Sequence, residues 1–214
     1  MSSVQILHRN DNGEETVVRV VDGDLIKAHS KTVRDMIARS EPALIYRISL
    51  IGPTFDSLSF VIEEIVKADE KKLLLSIKLG PHGIIQSCGI HRAIKCMQIE
   101  PEQLLVPKHL NGNLAHRQVT AEEMLMVHEA YCSIDNSHLK LFNVMVTTTA
   151  WNFVNDKMTD GQKKQLKQAA LTQPSLDAAL AVKIRELKEV KRISKIIAEK
   201  RAAREAKRAA REQW

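Results

Sequence analysis

The spacing of the apolar residues changes partway along this chain of 214 residues. Before Pro101, short β-branched segments typical of strands alternate with segments in which apolar residues have helical spacing. After Gly112, apolar residues recur almost only every three or four positions, the period of a helix buried along one face. The sequence therefore predicts an α+β protein, in which a small mixed sheet flanked by helices is followed by an all-helical extension and a long basic C-terminal helix.

Three parts are expected from this change: an α+β domain over residues 1–105, a helical extension over 113–174 and a long helix over 175–214. This length accommodates one domain with an extension, or two small domains. Apolar residues make up 44% of the chain and aromatic residues only 4%, so the core has to be built mainly from aliphatic side chains.

Four segments of the first part are predicted to be strands. Val17–Val21 is β-branched, Asp22-Gly23 is a tight-turn signal, and Leu25–His29 is predicted to be a second strand that completes a hairpin. Ile45–Leu50 alternates in hydrophobicity and predicts a third strand, and Leu73–Leu79 predicts a fourth.

Helix starts are indicated by residues whose side chains accept hydrogen bonds from free backbone amides. Thr120 and Glu123 form a capping box, in which the Thr oxygen accepts from the amide three residues on and Glu123 reaches back. Further start signals occur at Ser30, Thr54, Asn136 or Ser137, Thr159 and Pro174. A helix is also predicted within 84–97, although Gly89 disfavours it, and residues 101–112 are predicted to be a connector because they contain two prolines.

A single long helix is predicted from Pro174-Ser175 to the last residues of the sequence. Apolar residues step by three or four from Leu176 to Ile197, and beyond Ala198 the stripe consists of alanine. At about 1.5 Å per residue, residues 175–213 would span roughly 58 Å. Because alanine buries little area, the end of this helix is expected to project into solvent.

The basic charge of the chain is concentrated in this helix. Residues 183–214 contain 12 Lys or Arg and 5 Asp or Glu, whereas residues 1–182 contain 20 and 21. This distribution suggests an acidic partner for the helix alone, such as nucleic acid or a nuclear-import receptor. The residues that would make these contacts are Lys200, Arg201, Arg204, Lys207, Arg208 and Arg211. The alternative is a solvated helix held partly by pairs such as Arg201–Glu205.

No spacing of reactive residues indicates an enzyme, a metal site or a cofactor. The eight His are scattered without an H-E-x-x-H spacing, the three Cys form no C-x-x-C pair, and no glycine-rich phosphate motif occurs. Trp151 and Phe153 are interpreted as core residues. Three unpaired cysteines suggest a reducing compartment, cytoplasm or nucleus, and no apolar run approaches the roughly 18 residues of a membrane span.

The stretch from Val20 to Ser30 (VVDGDLIKAHS) resembles the opening of BTB/POZ domains, in which a hairpin ends in a His next to the first helix. Ile48-Ser49-Leu50 and the following Phe55, Leu58 and Ile62 are similar to the third strand of that family and its next helix. Residues 93–99 are similar to the exit of a later helix. The resemblance covers about residues 4–100, and more weakly residues 101–190, which are similar to the helical extensions of fungal members.

This resemblance implies a scaffold or adaptor with protein partners, through self-association or a cullin scaffold, in ubiquitin-ligase or transcription complexes. The shortened region after His29 is also similar to Skp-type adaptors, which share the fold and pair with F-box proteins. The protein-interaction residues that the resemblance implies are His29, Phe55, Leu58 and Ile62. The sequence therefore predicts a non-enzymatic interaction module, with nucleic-acid binding through the basic helix as the alternative.

Overall fold

The computed structural model describes residues 2–80, 82–132 and 139–212, except for the side chains of Leu139 and residues 207–212. Within these ranges the chain is a mixed α+β protein. Its contacts divide it into two compact units, Met1–Asn113 and Leu114–Trp214, which we call unit one and unit two.

Unit one contains a three-stranded sheet formed by β1 (Ser3–Arg9), β2 (Glu15–Asp22) and β3 (Ile45–Ile51). The order is β2-β1-β3, with β1 antiparallel to β2 and parallel to β3. Strands β2 and β3 confirm two of the sequence predictions. Strand β1 was not predicted, although it pairs with both of the others and lies at the centre of the sheet.

The hairpin predicted around Asp22-Gly23 is wrong, because the partner of β2 is β1 and the connecting turn lies at residues 10–14. In that turn the Asn10 Oδ1 accepts hydrogen bonds from the amides of Asn12 (3.1 Å) and Glu14 (2.9 Å). Gly13 has a φ of 83°, which a residue with a side chain rarely adopts. Asn12-Gly13 is therefore the turn signal of the real hairpin.

The segment predicted as the second strand is instead helix α1 (Gly23–His29). The Asp22 carboxylate accepts from the amides of Asp24 (2.9 Å) and Leu25 (3.0 Å), which is helix N-capping. A Cβ at Gly23 would lie 2.5 Å from the backbone oxygen of Ser2, so glycine is required by close packing. The Asp-Gly pair thus starts a helix rather than a hairpin.

Helix α2 (Lys31–Ala38) begins where predicted, since the amide of Val33 donates to the Ser30 Oγ at 3.2 Å. Helix α3 (Phe55–Glu70) is capped by Thr54, whose Oγ1 accepts from the amide of Ser57 at 3.3 Å. Both predicted caps are confirmed.

Helix α4 (Ile84–Met97) forms despite Gly89, and the reason is its packing against α3. A Cβ at Gly89 would lie 2.4 Å from the Ser57 Oγ, so the absence of a side chain allows the two helices to approach closely. The helix-propensity cost of glycine is about 1 kcal/mol. Gly89 disfavours a helix by its propensity, but the close contact with α3 explains why a glycine lies at this position.

Residues 73–79 alternate in burial as a strand would, with Leu75, Ile77 and Leu79 buried, but they pair with no strand in the described ranges. The prediction of a strand here is therefore wrong. The side chain of Gln103 replaces a strand partner: its Oε1 accepts from the amide of Ile77 at 2.8 Å, and its Nε2 donates to the carbonyl of Leu75 at 3.4 Å.

The predicted connector at 101–112 is wrong over most of its length, because α5 spans Leu105–His116. Pro107 is compatible with this helix since it lies in the first turn, where backbone amides have no partner within the helix. The proline was mistaken for a helix breaker.

The core of unit one fills the space between one face of the sheet and the helices. The sheet contributes Val4, Ile6, Ile48 and Leu50, which are at most 3% exposed. The helices contribute fully buried side chains that include Ile26, Val33, Leu58, Ile62, Ile65 and Ile90. The aliphatic core expected from the composition is thus present.

Unit two contains α6 (Ala121–Tyr131), α7 (Leu139–Val154), α8 (Asp160–Leu171) and α9 (Pro174–Glu212). The capping box predicted at Thr120 and the helix start predicted at Thr159 are both confirmed, Thr159 also forming a capping box, and the long final helix is confirmed at 39 residues. The predicted start of α7 at Asn136 or Ser137 lies outside the described residues.

Helix α9 packs through its first turns against α7 and α8. Leu176 and Leu180 are buried there, together with Met145 and Ala150 of α7 and Leu166 of α8. About three turns after Leu180, the Nζ of Lys191 donates to the carbonyl of Val154 at 2.9 Å and so caps the end of α7.

Candidate protein-interaction surfaces

The side of the sheet that faces away from the core carries exposed β-branched residues. In register, Val17 pairs with Leu7, Val20 with Gln5, Ile45 with Ser3 and Ile51 with Arg9. Paired residues on neighbouring strands point to the same side of a sheet, and alternate residues of β1 share that side. Val17, Val20, Ile45 and Ile51 therefore form one surface, which we call the open sheet face; they are 45%, 54%, 60% and 61% exposed.

An irregularity in β2 brings two of these residues together. Val17 and Val20 are three positions apart and would lie on opposite sides of a regular strand. The register shifts between Ile6 and Leu7, where Val18 is the additional residue of β2. Both valines consequently flank Leu7, which is only 2% exposed.

Polar side chains lie on this face between its aliphatic residues, because Arg47 pairs with Gln5 and Ser49 with Leu7 in register. The guanidinium of Arg47 lies 3.9 Å from the Glu15 carboxylate, an exposed pair that links β3 to β2 across the face. Leu44, just before β3, is 84% exposed. The open sheet face is thus a mixed surface, on which exposed aliphatic residues alternate with polar and charged ones, as in many protein-binding sites.

Of the four residues implied by the family resemblance, two lie in the core. Leu58 and Ile62 are 0% exposed, so they support α3 against the sheet and offer no surface to a partner. Phe55 is 37% exposed and makes an edge-to-face contact with His8, with ring centroids 6.4 Å apart. His8 alternates with Leu7 along β1, so Phe55 is not part of the open sheet face.

His29 holds two helices together instead of standing free. Its Nδ1–H donates to the carbonyl of Glu100 at 3.2 Å, and the amide of Glu100 donates to the His29 carbonyl at 2.8 Å. The neighbouring Ser30 hydroxyl donates to the Met97 carbonyl at 2.7 Å. These bonds connect the α1–α2 junction to the end of α4.

The predicted basic contacts lie on the exposed part of α9. Lys200, Arg201 and Arg204 are exposed, whereas the side chains of Lys207, Arg208 and Arg211 lie outside the description. Ion pairs between described side chains of this helix all occur before Lys200. They are Lys183–Glu186 (2.9 Å), Glu189–Arg192 (2.7 Å) and Lys195–Glu199 (3.9 Å).

The interpretation of Trp151 as a core residue is wrong, because it is 47% exposed. It lies four residues after the exposed Thr147, on the side of α7 that faces solvent. The polar Thr147 one helical turn before Trp151 was the sequence signal that Trp151 faces solvent. Phe153 is half-buried, with the ammonium groups of Lys163 and Lys167 5.5 Å and 5.2 Å from its ring centre.

Metal-ligating and titratable side chains are spread over the described residues. Among them, no three His, Cys, Asp or Glu side chains lie close enough together to hold a metal ion. Burial raises the pKa of the Cys96 thiol and lowers the pKa of His128. Within the ranges described, none of the helices combines the length and apolar character needed to cross a membrane.

Comparisons of the chain with family models, curated proteins and solved structures found no match. Function is therefore inferred from the exposed surfaces and their chemistry.

Proposed function

We propose that this protein is a non-enzymatic protein–protein interaction module, and that unit one is a scaffold or adaptor head of BTB/POZ type. The observation that carries the proposal is the open sheet face, where Val17, Val20, Ile45 and Ile51 are about half exposed. Leaving apolar side chains in water forgoes about 25 cal/mol for each Å² that could be buried. Four such side chains on one side of the sheet are explained by a partner that covers that side.

The partner chemistry follows from the character of the face. Its aliphatic residues favour aliphatic groups of a partner, and the Arg47–Glu15 pair on the same face can exchange for ionic contacts with that partner at modest cost, because exposed pairs contribute little. A second copy of the chain and a cullin scaffold are the two partners that the resemblance to BTB/POZ domains suggests.

The proposal is tested by comparing two adjacent residues of β2 that point to opposite sides. A photo-reactive amino acid at position 20 should cross-link to a partner protein or to a second copy, whereas the same group at Arg19 should not. Binding of the captured partner should then weaken by about tenfold or more in Val20→Thr and Ile45→Thr, as expected when a buried interface residue is lost. Arg19→Thr is the matched control and should change affinity less than about twofold.

Two measurements decide between the suggested partners. Light scattering of the purified chain over a range of concentrations reports self-association, and titration with a purified cullin reports adaptor binding. Equal cross-linking from positions 19 and 20, or an unchanged affinity of both face variants, would contradict the role of the open sheet face.

The alternative function is nucleic-acid binding through α9, and its support is the exposure of Lys200, Arg201 and Arg204. Binding of this kind releases counterions, so affinity should fall steeply with salt concentration. Deletion of residues 198–214 should abolish it. A flat salt response, or retained binding after the deletion, would count against this function.

A further inference from the structure

The distal half of α9 combines exposure with aliphatic residues. The last contact described between α9 and another element is the bond from Lys191 to Val154, and all residues from Lys188 to Ala206 are exposed. Four large aliphatic residues lie in this exposed part. They are Val190 (59% exposed), Ile193 (45%), Ile196 (38%) and Ile197 (58%), and we call them the distal stripe.

The distal stripe lies on one side of the helix and continues as a basic surface. At about 100° per residue, its four members fall within an arc of about 120°. Lys200 and Arg204 extend the same side by two further turns, and Lys195 points to the opposite side. Towards the C-terminus, one face of the projecting helix thus changes from aliphatic to cationic.

The charge of this segment decides between possible occupants. Residues 190–204 contain six Lys or Arg and a single Glu. A second copy in parallel orientation would place these cations against one another, which is unfavourable, whereas a helix that carries acidic residues would neutralise them. Nucleic acid would neutralise the cations but would leave the aliphatic stripe in water, because phosphate contacts require no apolar surface.

We infer that this face binds an acidic amphipathic helix of another protein. The aliphatic side of that helix covers Val190, Ile193 and Ile197, and its carboxylates pair with Lys200 and Arg204. Pairing of two helices through residues three and four apart is the usual geometry of such contacts. The inference concerns unit two alone and does not depend on the open sheet face.

The test uses the full-length chain and a synthetic peptide of about three heptads. In one half of the peptide, Leu occupies the a and d positions. In the other half, Glu residues lie on the same face of the helix. A scrambled peptide of equal composition and a DNA duplex of about 20 base pairs are titrated in parallel, with fluorescence anisotropy as the readout.

Two pairs of variants separate the aliphatic from the ionic contribution. Ile193→Ser removes part of the stripe, and its control Ala198→Ser makes a polar change on the other side of the helix. Lys200→Glu reverses a charge on the binding face, and Lys195→Glu makes the same reversal on the opposite face. Circular dichroism verifies that each variant keeps its helix content.

The expected result is binding of the amphipathic peptide that weakens about tenfold or more in Ile193→Ser and Lys200→Glu. Both controls should stay within about twofold of the unaltered chain. Equal binding of the scrambled peptide, or no binding of either peptide, overturns the inference. DNA binding that falls equally in Lys200→Glu and Lys195→Glu and is unchanged in Ile193→Ser assigns the segment to nucleic acid. Self-association that Ile193→Ser abolishes assigns it to a second copy.

Discussion

Replacing Ser30 by alanine should destabilise unit one more than any other loss of a single hydroxyl described above. The Ser30 side chain is fully buried and makes two hydrogen bonds. Its Oγ accepts from the amide of Val33 at the start of α2 and donates to the carbonyl of Met97 at the end of α4. One hydroxyl therefore satisfies backbone groups of two helices that are far apart in sequence.

The magnitude follows from these two bonds. Loss of an N-cap costs typically about 1 kcal/mol. A buried carbonyl left without a donor costs about 1–3 kcal/mol more. Ser30→Ala should thus lower the free energy of unfolding of unit one by about 2–4 kcal/mol, or about 1–2 M in the urea midpoint at a slope of about 2 kcal/mol/M.

The assay has to report on unit one separately, since unfolding of a chain with two units need not be a single transition. Trp151 and Trp214 both belong to unit two, so tryptophan fluorescence follows that unit. Amide hydrogen exchange of β1 and β3 at increasing urea concentrations follows unit one. The tryptophan transition should be unchanged by the substitution.

Ser40→Ala is the matched control, because its exposed Oγ donates to the Met36 carbonyl at 2.9 Å at the end of α2. This substitution should change stability by no more than about 0.5 kcal/mol. If Ser30→Ala and Ser40→Ala have equal effects, the connection between α2 and α4 through Ser30 does not contribute to stability as argued.

Two further predictions concern the close approach of Gly89 to Ser57 and the burial of His128. Gly89→Ala should destabilise unit one by about 1–3 kcal/mol, because the new Cβ overlaps with the Ser57 Oγ. Adding Ser57→Ala in a double variant should recover most of this loss, as measured by hydrogen exchange. If the stability changes of the two single variants simply add up in the double variant, the contact does not exist as described. Burial holds the pKa of His128 below its usual range, and its Nε2 is hydrogen-bonded to the Ser175 Oγ at 2.8 Å. The unfolded state therefore binds the proton more readily, so unit two should lose stability as the pH falls below about 6.5, the usual pKa of His. In His128→Gln the tryptophan transition should depend less on pH, and an unchanged dependence would refute this role of burial.

The helix starts could be predicted because capping is a local interaction. Ser30, Thr54, Thr120 and Thr159 each accept a hydrogen bond from an amide three residues on, so the information lies within one turn. The same reasoning failed at Asp22-Gly23, because a hairpin turn and a helix N-cap use similar residues there. Asn12-Gly13 was the competing signal, and it marks the hairpin that formed.

The surface residues were predicted less well than the helices. Leu58 and Ile62 have the spacing of an apolar helix face, which indicates burial but not what lies opposite. The open sheet face required the register of three strands and the additional residue at Val18, neither of which a single segment encodes. The exposure of Trp151 likewise depends on which side of α7 the rest of unit two covers.

By itself the sequence determined the α+β class, the long basic helix and the positions of most helix starts, because each depends on residues a few positions apart. Only the tertiary structure decided that residues 3–9 form the central strand, that 25–29 are helical, and that 73–79 rely on the Gln103 side chain rather than on a strand. Strand pairing and burial arise from contacts between distant residues, and a local pattern is compatible with more than one set of such contacts.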